Sequence, residues 1–204
     1  MMLRIRETNI LDLMDLYGEE ECKAILSSFA CPFGKDVEDF IHRNAMEFAK
    51  QRIAMTFLVF LEKDEQLHML GYYTLANKFV SVSGHMLSKT MQKRISRFSQ
   101  YDTILDRYLV SMPLIAQLGR NFKYDKTNTG FTGEDLLELA CKRIISVQKV
   151  IGGKMTYIEC ASNPKLHTFY SKHDFVVFGE REKEQNELTE SPVLVQMLRY
   201  FKGL

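Results

Sequence analysis

The stretch from residue 108 to residue 160 constrains the fold more than any other part of the chain. It opens with an apolar run at 108–118, interrupted by Pro113. A polar, glycine-containing turn follows at 125–133. Leu136, Leu137, Ala140, Ile144 and Val147 then recur at helical spacing. A second run rich in strand-forming residues closes the unit at 155–160. Strand, turn, helix and strand in that order predict two parallel neighbours joined by a right-handed crossover. The proline predicts a bulge, an edge, or a pairing that starts beyond it.

The flanking segments build a sheet around that unit. Residues 3–6 alternate as a first strand. Ile10, Leu11, Leu13, Met14, Leu16 and Tyr17 suit one face of a helix. Cys31-Pro32-Phe33-Gly34 breaks the chain. From Asp36 a helical stretch carries Val37, Phe40, Ile41, Ala45, Phe48 and Ala49 on one face. Residues 55–61 and 69–75 read as a hairpin around the charged turn Lys63-Asp64-Glu65, the second strand continuing towards Val82. Residues 85–107 are polar and basic and read as a helical insertion. Asn163 precedes Pro164, a cap followed by proline at the first helical position, and that helix carries Leu166, Phe169 and Tyr170. Strands at 175–178 and 193–200 complete a mixed α/β sheet, read as one domain over residues 1–204.

Composition excludes several classes. With 46% apolar and 26% charged residues the chain is neither disordered nor fibrous. A formal net charge of +1 gives no global field for nucleic acid, so any basic surface is local. No apolar run approaches the roughly 20 residues that span a bilayer. The first six residues lack a signal-peptide core, so a cytoplasmic location without membrane attachment is expected. The four cysteines form no C-x-x-C pair and the five histidines show no ligand spacing, so neither disulfides nor a metal are expected.

Two segments carry chemistry. In the first, LGRNFKYDKTNTGFTGEDLL at 118–137, a strand feeds a turn and then a helix N-terminus. Orphan N–H groups and the positive helix end suit an anion such as pyrophosphate, and Gly130 and Gly133 permit close approach. Glu134 and Asp135 sit in the first turn and must face away from such an anion. A plain connecting loop explains the same residues. The second segment, YIECASNPKLHTFYSKHDFVVF at 157–178, is more specific. Asn163, Phe169, Tyr170, Lys172 and Phe175 match the pattern of the GNAT superfamily of N-acetyltransferases, and Asp174 stands where glycine is usual.

The resemblance to that superfamily implies a GNAT fold: a mostly antiparallel sheet with one parallel pair, flanked by helices. It implies acetyl-coenzyme A as co-substrate and a primary amine as acceptor. It gives the first segment a register. From Gly119, Arg120 falls on the family's arginine, Asn128 on its glutamine, Phe131 and Gly133 on the two glycines of G-x-G, and Leu136-Leu137 on its leucine pair. By resemblance, amides at Asn121, Phe122 and Lys123 hold the pantetheine. The turn Asn128, Thr129, Gly130, Phe131, Thr132 and Gly133 holds the pyrophosphate, and Asn163 lies beside the cofactor. Tyr170 is the expected general acid, since a phenol with a reference pKa of about 10 is protonated at neutral pH.

Features at 29–40, 56–76 and 112–120, among them Cys31, Asp36, Phe40, Gly71 to Ala76 and Met112-Pro113, resemble one branch of the superfamily. That branch contains toxins that acetylate aminoacyl-tRNA and pair with an antitoxin. tRNA, an antitoxin and a second copy of the chain therefore join acetyl-coenzyme A as expected partners. Arg120, Lys93, Arg94 and Arg97 are the candidate RNA contacts, though a basic helix with Asp102 and Asp106 nearby is also a plain solvated face. Glu159, and Cys160 with His167, are weaker candidates: an outward strand position and a core thiol explain them. A small amine, a protein lysine, or a non-catalytic fold module remain as alternatives.

Overall fold

Eight strands hydrogen-bond in the order β1-β2-β3-β5-β6-β8-β7, with β4 paired to β5. They are β1 (Arg4–Asn9), β2 (Met55–Lys63), β3 (Gln66–Ser83), β4 (Ser99–Asp102), β5 (Arg107–Arg120), β6 (Met155–Ala161), β7 (Val176–Glu182) and β8 (Val193–Tyr200). Seven helices accompany them: α1 (Ile10–Tyr17), α2 (Glu19–Leu26), α3 (Lys35–Arg43), α4 (Ala45–Lys50), α5 (Lys89–Ile95), α6 (Gly133–Ile151) and α7 (Pro164–Lys172). The structure is a computed structural model and describes residues 4–63, 66–124, 130–185, 187 and 191–203; the counts refer to these. The chain divides into two compact units, Met1–Ala76 with Ala116–Ala140, and Asn77–Ile115 with Cys141–Leu204.

In the first unit β1 and β2 pair antiparallel, as do β2 and β3. Ile10, Leu26, Phe29, Phe40, Leu58 and Tyr72 belong to one buried cluster that α1 to α4 and these strands build together. The long helical stretch expected from Asp36 is two helices, α3 and α4, meeting at Asn44. Helix α2 was not evident from the sequence: its first turn is Glu19, Glu20 and Glu21, and only Cys22 and Leu26 are buried. Those acids suit the positive helix end without giving the apolar period that marks a helix.

The second unit holds the parallel pair. Leu114 lies opposite Tyr157 and Ile115 opposite Ile158. The parallel register therefore begins beyond Pro113, whose carbonyl accepts a hydrogen bond from Thr156 Oγ1 at 2.9 Å. β8 pairs antiparallel with both β6 and β7. The 85–107 segment is helical only in a 3-10 turn at Gly84–Met86 and in α5; it then forms β4, which pairs antiparallel with β5 from Ser99↔Val110 to Asp102↔Arg107. Asp102 Oδ1 accepts from the Ile104 and Leu105 amides and closes that hairpin. All four cysteines are free and buried. Burial raises the Cys22 and Cys160 thiols to about 11 and also raises that of Cys31. No described helix is long and apolar enough to cross a membrane.

Gly71 lets β3 approach β5 in the first unit, and Gly119 lets α3 pack against β5. A Cβ on Gly71 would lie 2.6 Å from the Gly119 carbonyl oxygen and 3.2 Å from Arg120 Cα. One on Gly119 would lie 2.5 Å from Val37 Cγ1. Because the Gly71 obstacle is backbone, Gly71→Ala should cost about 1–3 kcal/mol, read as a lower urea midpoint at unchanged slope.

Candidate functional site

The residues singled out by the sequence fall on three pieces of structure, two in the first unit and one in the second. The first piece is the end of β5. Asn121 is 1% exposed, and its side chain meets every hydrogen-bonding demand around it. Oδ1 accepts from the Ala30 amide at 3.1 Å and from the Lys123 amide at 3.1 Å. Nδ2 donates to the Met69 carbonyl at 2.9 Å and the Ser28 carbonyl at 3.2 Å. Its own amide donates to Leu70 O at 2.7 Å, and the Phe122 amide donates to Ala30 O at 2.8 Å. The three amides expected to serve pantetheine, those of Asn121, Phe122 and Lys123, thus all have partners within the protein. Arg120 places its guanidinium carbon 4.5 Å above the Phe122 ring.

The second piece is the turn into α6. Asn128 and Thr129 lie outside the described residues. Gly130 has φ +65°, with open space where a Cβ would stand. Phe131, at the place of a glycine in the G-x-G pattern, is 4% exposed, so its ring is turned inward. Thr132 and Asp135 form a capping box. The Thr132 amide and hydroxyl each donate to Asp135 Oδ2 at 2.7 Å, and the Asp135 amide donates to Thr132 Oγ1 at 3.2 Å. The acid that had to face away instead folds back over the helix start. Two N–H groups that could have met a phosphate are answered by the protein. The Gly133 amide has no partner inside the helix, by the geometry of a first turn.

The third piece lies in the second unit, where β6 hands the chain to α7. The Asn163 side chain accepts from the Lys165 amide at 2.9 Å and caps the helix, with Pro164 at its start. Tyr170 follows two turns on. It is 8% exposed, with Phe169 and Phe175 edge-on to its ring at 5.0 and 5.6 Å. Burial, and then the Cys160 and Cys141 thiols, push its phenol well above the ordinary tyrosine value. No described residue bonds to its hydroxyl, which is not among the sealed unpartnered polar atoms of the interior. Asp174, at the family's glycine, has φ +63°, the left-handed conformation that Asp tolerates better than most.

The other candidates resolve differently. Glu159 is held: Oε2 takes Arg181 Nη2 at 2.5 Å and Oε1 takes Gln196 Nε2 at 2.8 Å. Arg181 also bonds Glu187, whose carboxyl it holds below the usual range. Neither partner of Glu159 had a local signal, since each lies more than twenty residues away in sequence. Lys93 and Arg97 are exposed, while Arg94 Cζ lies 4.8 Å over the Tyr200 ring. The buried Cys160 thiol, raised to about 11, is unsuited to attack as a thiolate. Among the described residues no group of acidic, histidine and cysteine side chains could hold a metal ion.

No protein-family model matches the chain, and no curated protein matches it. Solved structures match it over nearly its whole length. AtaT complexed with acetyl-methionyl-tRNAfMet is similar at 19% identity and a TM-score of 0.61, over 95% of this chain and 94% of the other. A tyrosine-to-phenylalanine mutant of KacT is similar at 17% identity and 0.61, over 97% and 95%. An AtaT mutant toxin bound to the C-terminus of the antitoxin AtaR and acetyl-CoA is similar at 16% and 0.59, over 98% and 94%. The chain has the GNAT fold.

Within that fold Asn121 is the residue on which the end of β5 depends. Asn121→Ala would strand two amides and two carbonyls in the interior. A loss on the order of 3 kcal/mol is expected, measured by chemical denaturation, with local amide exchange rising first at Ala30 and Lys123.

Proposed function

We propose that this protein is an acetyl-coenzyme A-dependent N-acetyltransferase whose acceptor is the amino group of an aminoacyl-tRNA. The observation that carries the reading is the buried Tyr170 phenol, whose hydroxyl no described residue engages, in a fold shared with proteins solved with acetyl-CoA and with acetyl-methionyl-tRNA. Acetyl-coenzyme A supplies an acyl group on a thioester. A neutral amine attacks the carbonyl carbon, the carbon–sulfur bond breaks, the nitrogen gives up a proton to water as the amide forms, and sulfur needs a proton as it leaves. Tyr170 holds that proton at its phenolic oxygen. Burial stabilises the neutral phenol over the phenolate, so the proton is retained at and above neutral pH. An aminoacyl ester amine has a modest pKa and needs little help from a base, in keeping with Glu159 being engaged by Arg181. Lys93 on α5 and Arg97 in the turn after it, both exposed, supply positive charge for RNA phosphates, with Arg120 as a further cation. By the same reading an antitoxin is a partner of this chain, as AtaR is of AtaT.

A second reading has its own support. The amides of 121–123 are satisfied internally, Thr132 and Asp135 cap each other, and Phe131 replaces a glycine. Those features fit a GNAT-fold module that binds a partner without transferring acetyl. Calorimetry separates the two: micromolar binding of acetyl-coenzyme A supports the enzyme, and no heat at millimolar ligand supports the module.

Tyr170→Phe should lower turnover roughly a hundredfold and leave acetyl-coenzyme A affinity unchanged, in a thiol-release assay with charged tRNA. The raised phenol pKa also fixes the pH behaviour. The acid form is present below the ordinary value of about 10 and is lost only above it, so the wild-type rate should show no alkaline fall from this group below that pH. Unchanged turnover in the variant would remove Tyr170 from the chemistry.

A further inference from the structure

Two chain segments of the first unit carry two exposed aromatic rings and two cations. Cys31-Pro32-Phe33-Gly34 is a tight turn closed by the Gly34 amide on Cys31 O at 3.0 Å. Pro32 fixes its own φ, and the Cys31 amide is held by Glu38 Oε2 at 2.6 Å. Phe33 projects from the tip of that turn and is 86% exposed. Its ring meets Phe122 edge to face at 5.4 Å, 76° between planes. Phe122, 38% exposed, carries the Arg120 guanidinium 4.5 Å from its ring centre. Arg120 makes no ion pair with any described residue, and Lys123, three residues on, is exposed with its ammonium donating to Ser27 O at 3.4 Å. The backbone under the rings is fixed: the Phe122 amide bonds Ala30 O, and Asn121 ties Ser28, Ala30 and Lys123 together.

An exposed phenylalanine on a rigid turn gains little for the fold beyond its one edge-to-face contact with Phe122. Most of its surface stays in water, and the turn holds it there. Two rings and a planar guanidinium offer an area suited to one flat heterocycle, too small for a protein hot spot. The neighbouring cations suit the phosphate that accompanies each base of a single strand. We propose that Phe33, Phe122 and Arg120 form a stacking platform for an unpaired nucleobase of the RNA acceptor, with Lys123 meeting the adjoining phosphate. This rests on the acetyl-transfer reading for the identity of the acceptor and adds the site that grips its single-stranded end.

The probe is a labelled single-stranded RNA hexamer without an amino acid, titrated into the full-length chain by fluorescence anisotropy. Phe33→Ala should weaken binding roughly tenfold at constant salt, while Phe33→Trp keeps it within about twofold of wild type. The salt slope should be unchanged in Phe33→Ala and fall by about one in Lys123→Ala. Acetyl-coenzyme A affinity of Phe33→Ala should equal that of wild type. Equal RNA binding by wild type and Phe33→Ala overturns the platform, as does an RNA that fails to bind wild type. Loss of acetyl-coenzyme A affinity in Phe33→Ala overturns it too, by assigning the rings to the coenzyme's adenine. Thiol release with charged tRNA is scored separately on wild type, so acetyl transfer can stand where the platform falls.

Discussion

A single buried carboxamide organises the first unit around its candidate ligand-binding segments. Among the described residues Asn121 is the one side chain that bonds to the segment after β5, to the start of β3 and to the turn after α2 at once. A carboxamide has two donors and two acceptor lone pairs, and here two of each are in use. An apolar side chain would leave main-chain groups unsatisfied, and a carboxylate would set like dipoles against each other at Nδ2. The loop that carries Phe33 and the loop that carries Phe122 therefore keep one arrangement.

That self-sufficiency changes how an acyl donor would be held. A GNAT fold normally leaves main-chain N–H groups at the end of this strand to its ligand, by the resemblance that the sequence carries. Here the protein has turned them inward. The helix that follows has likewise placed a carboxylate over its own positive end, which a phosphate would meet as repulsion. Inward packing of Phe131 fits the same tendency, since an aromatic ring at a glycine position needs somewhere apolar to go. On the acetyl-transfer reading proposed above, affinity for the coenzyme would fall more heavily on side chains and on the Gly133 amide than on a nest of backbone donors.

Much of the architecture could be read from the chain because its signals were local. The strand at 193–200, the proline-started helix after Asn163 and the parallel pair beyond Pro113 each depend on neighbours in sequence. So does the left-handed Asp174. What escaped was non-local or weakly patterned. Helix α2 hides under three glutamates, and β4 lies in a stretch whose basic character resembled a helix. The Asn121 bonds span up to 93 residues, and no window of the sequence contains both ends. Tyr170 was legible as a position and its burial was not, because burial is set by Phe175 and the surrounding fold. Phe33 read only as part of a chain break; its juxtaposition with Phe122 needed coordinates.

The four shielded sulfhydryls have a practical corollary. A cysteine reacts with disulfide reagents and oxidants through its thiolate, and burial keeps Cys22 and Cys160 in the acid form far above physiological pH. A colorimetric reagent that counts free sulfhydryl groups would therefore read the thiol-release assay proposed above against a quiet polypeptide background. The same shielding makes a sudden appearance of reactive sulfur a direct marker that the interior has opened.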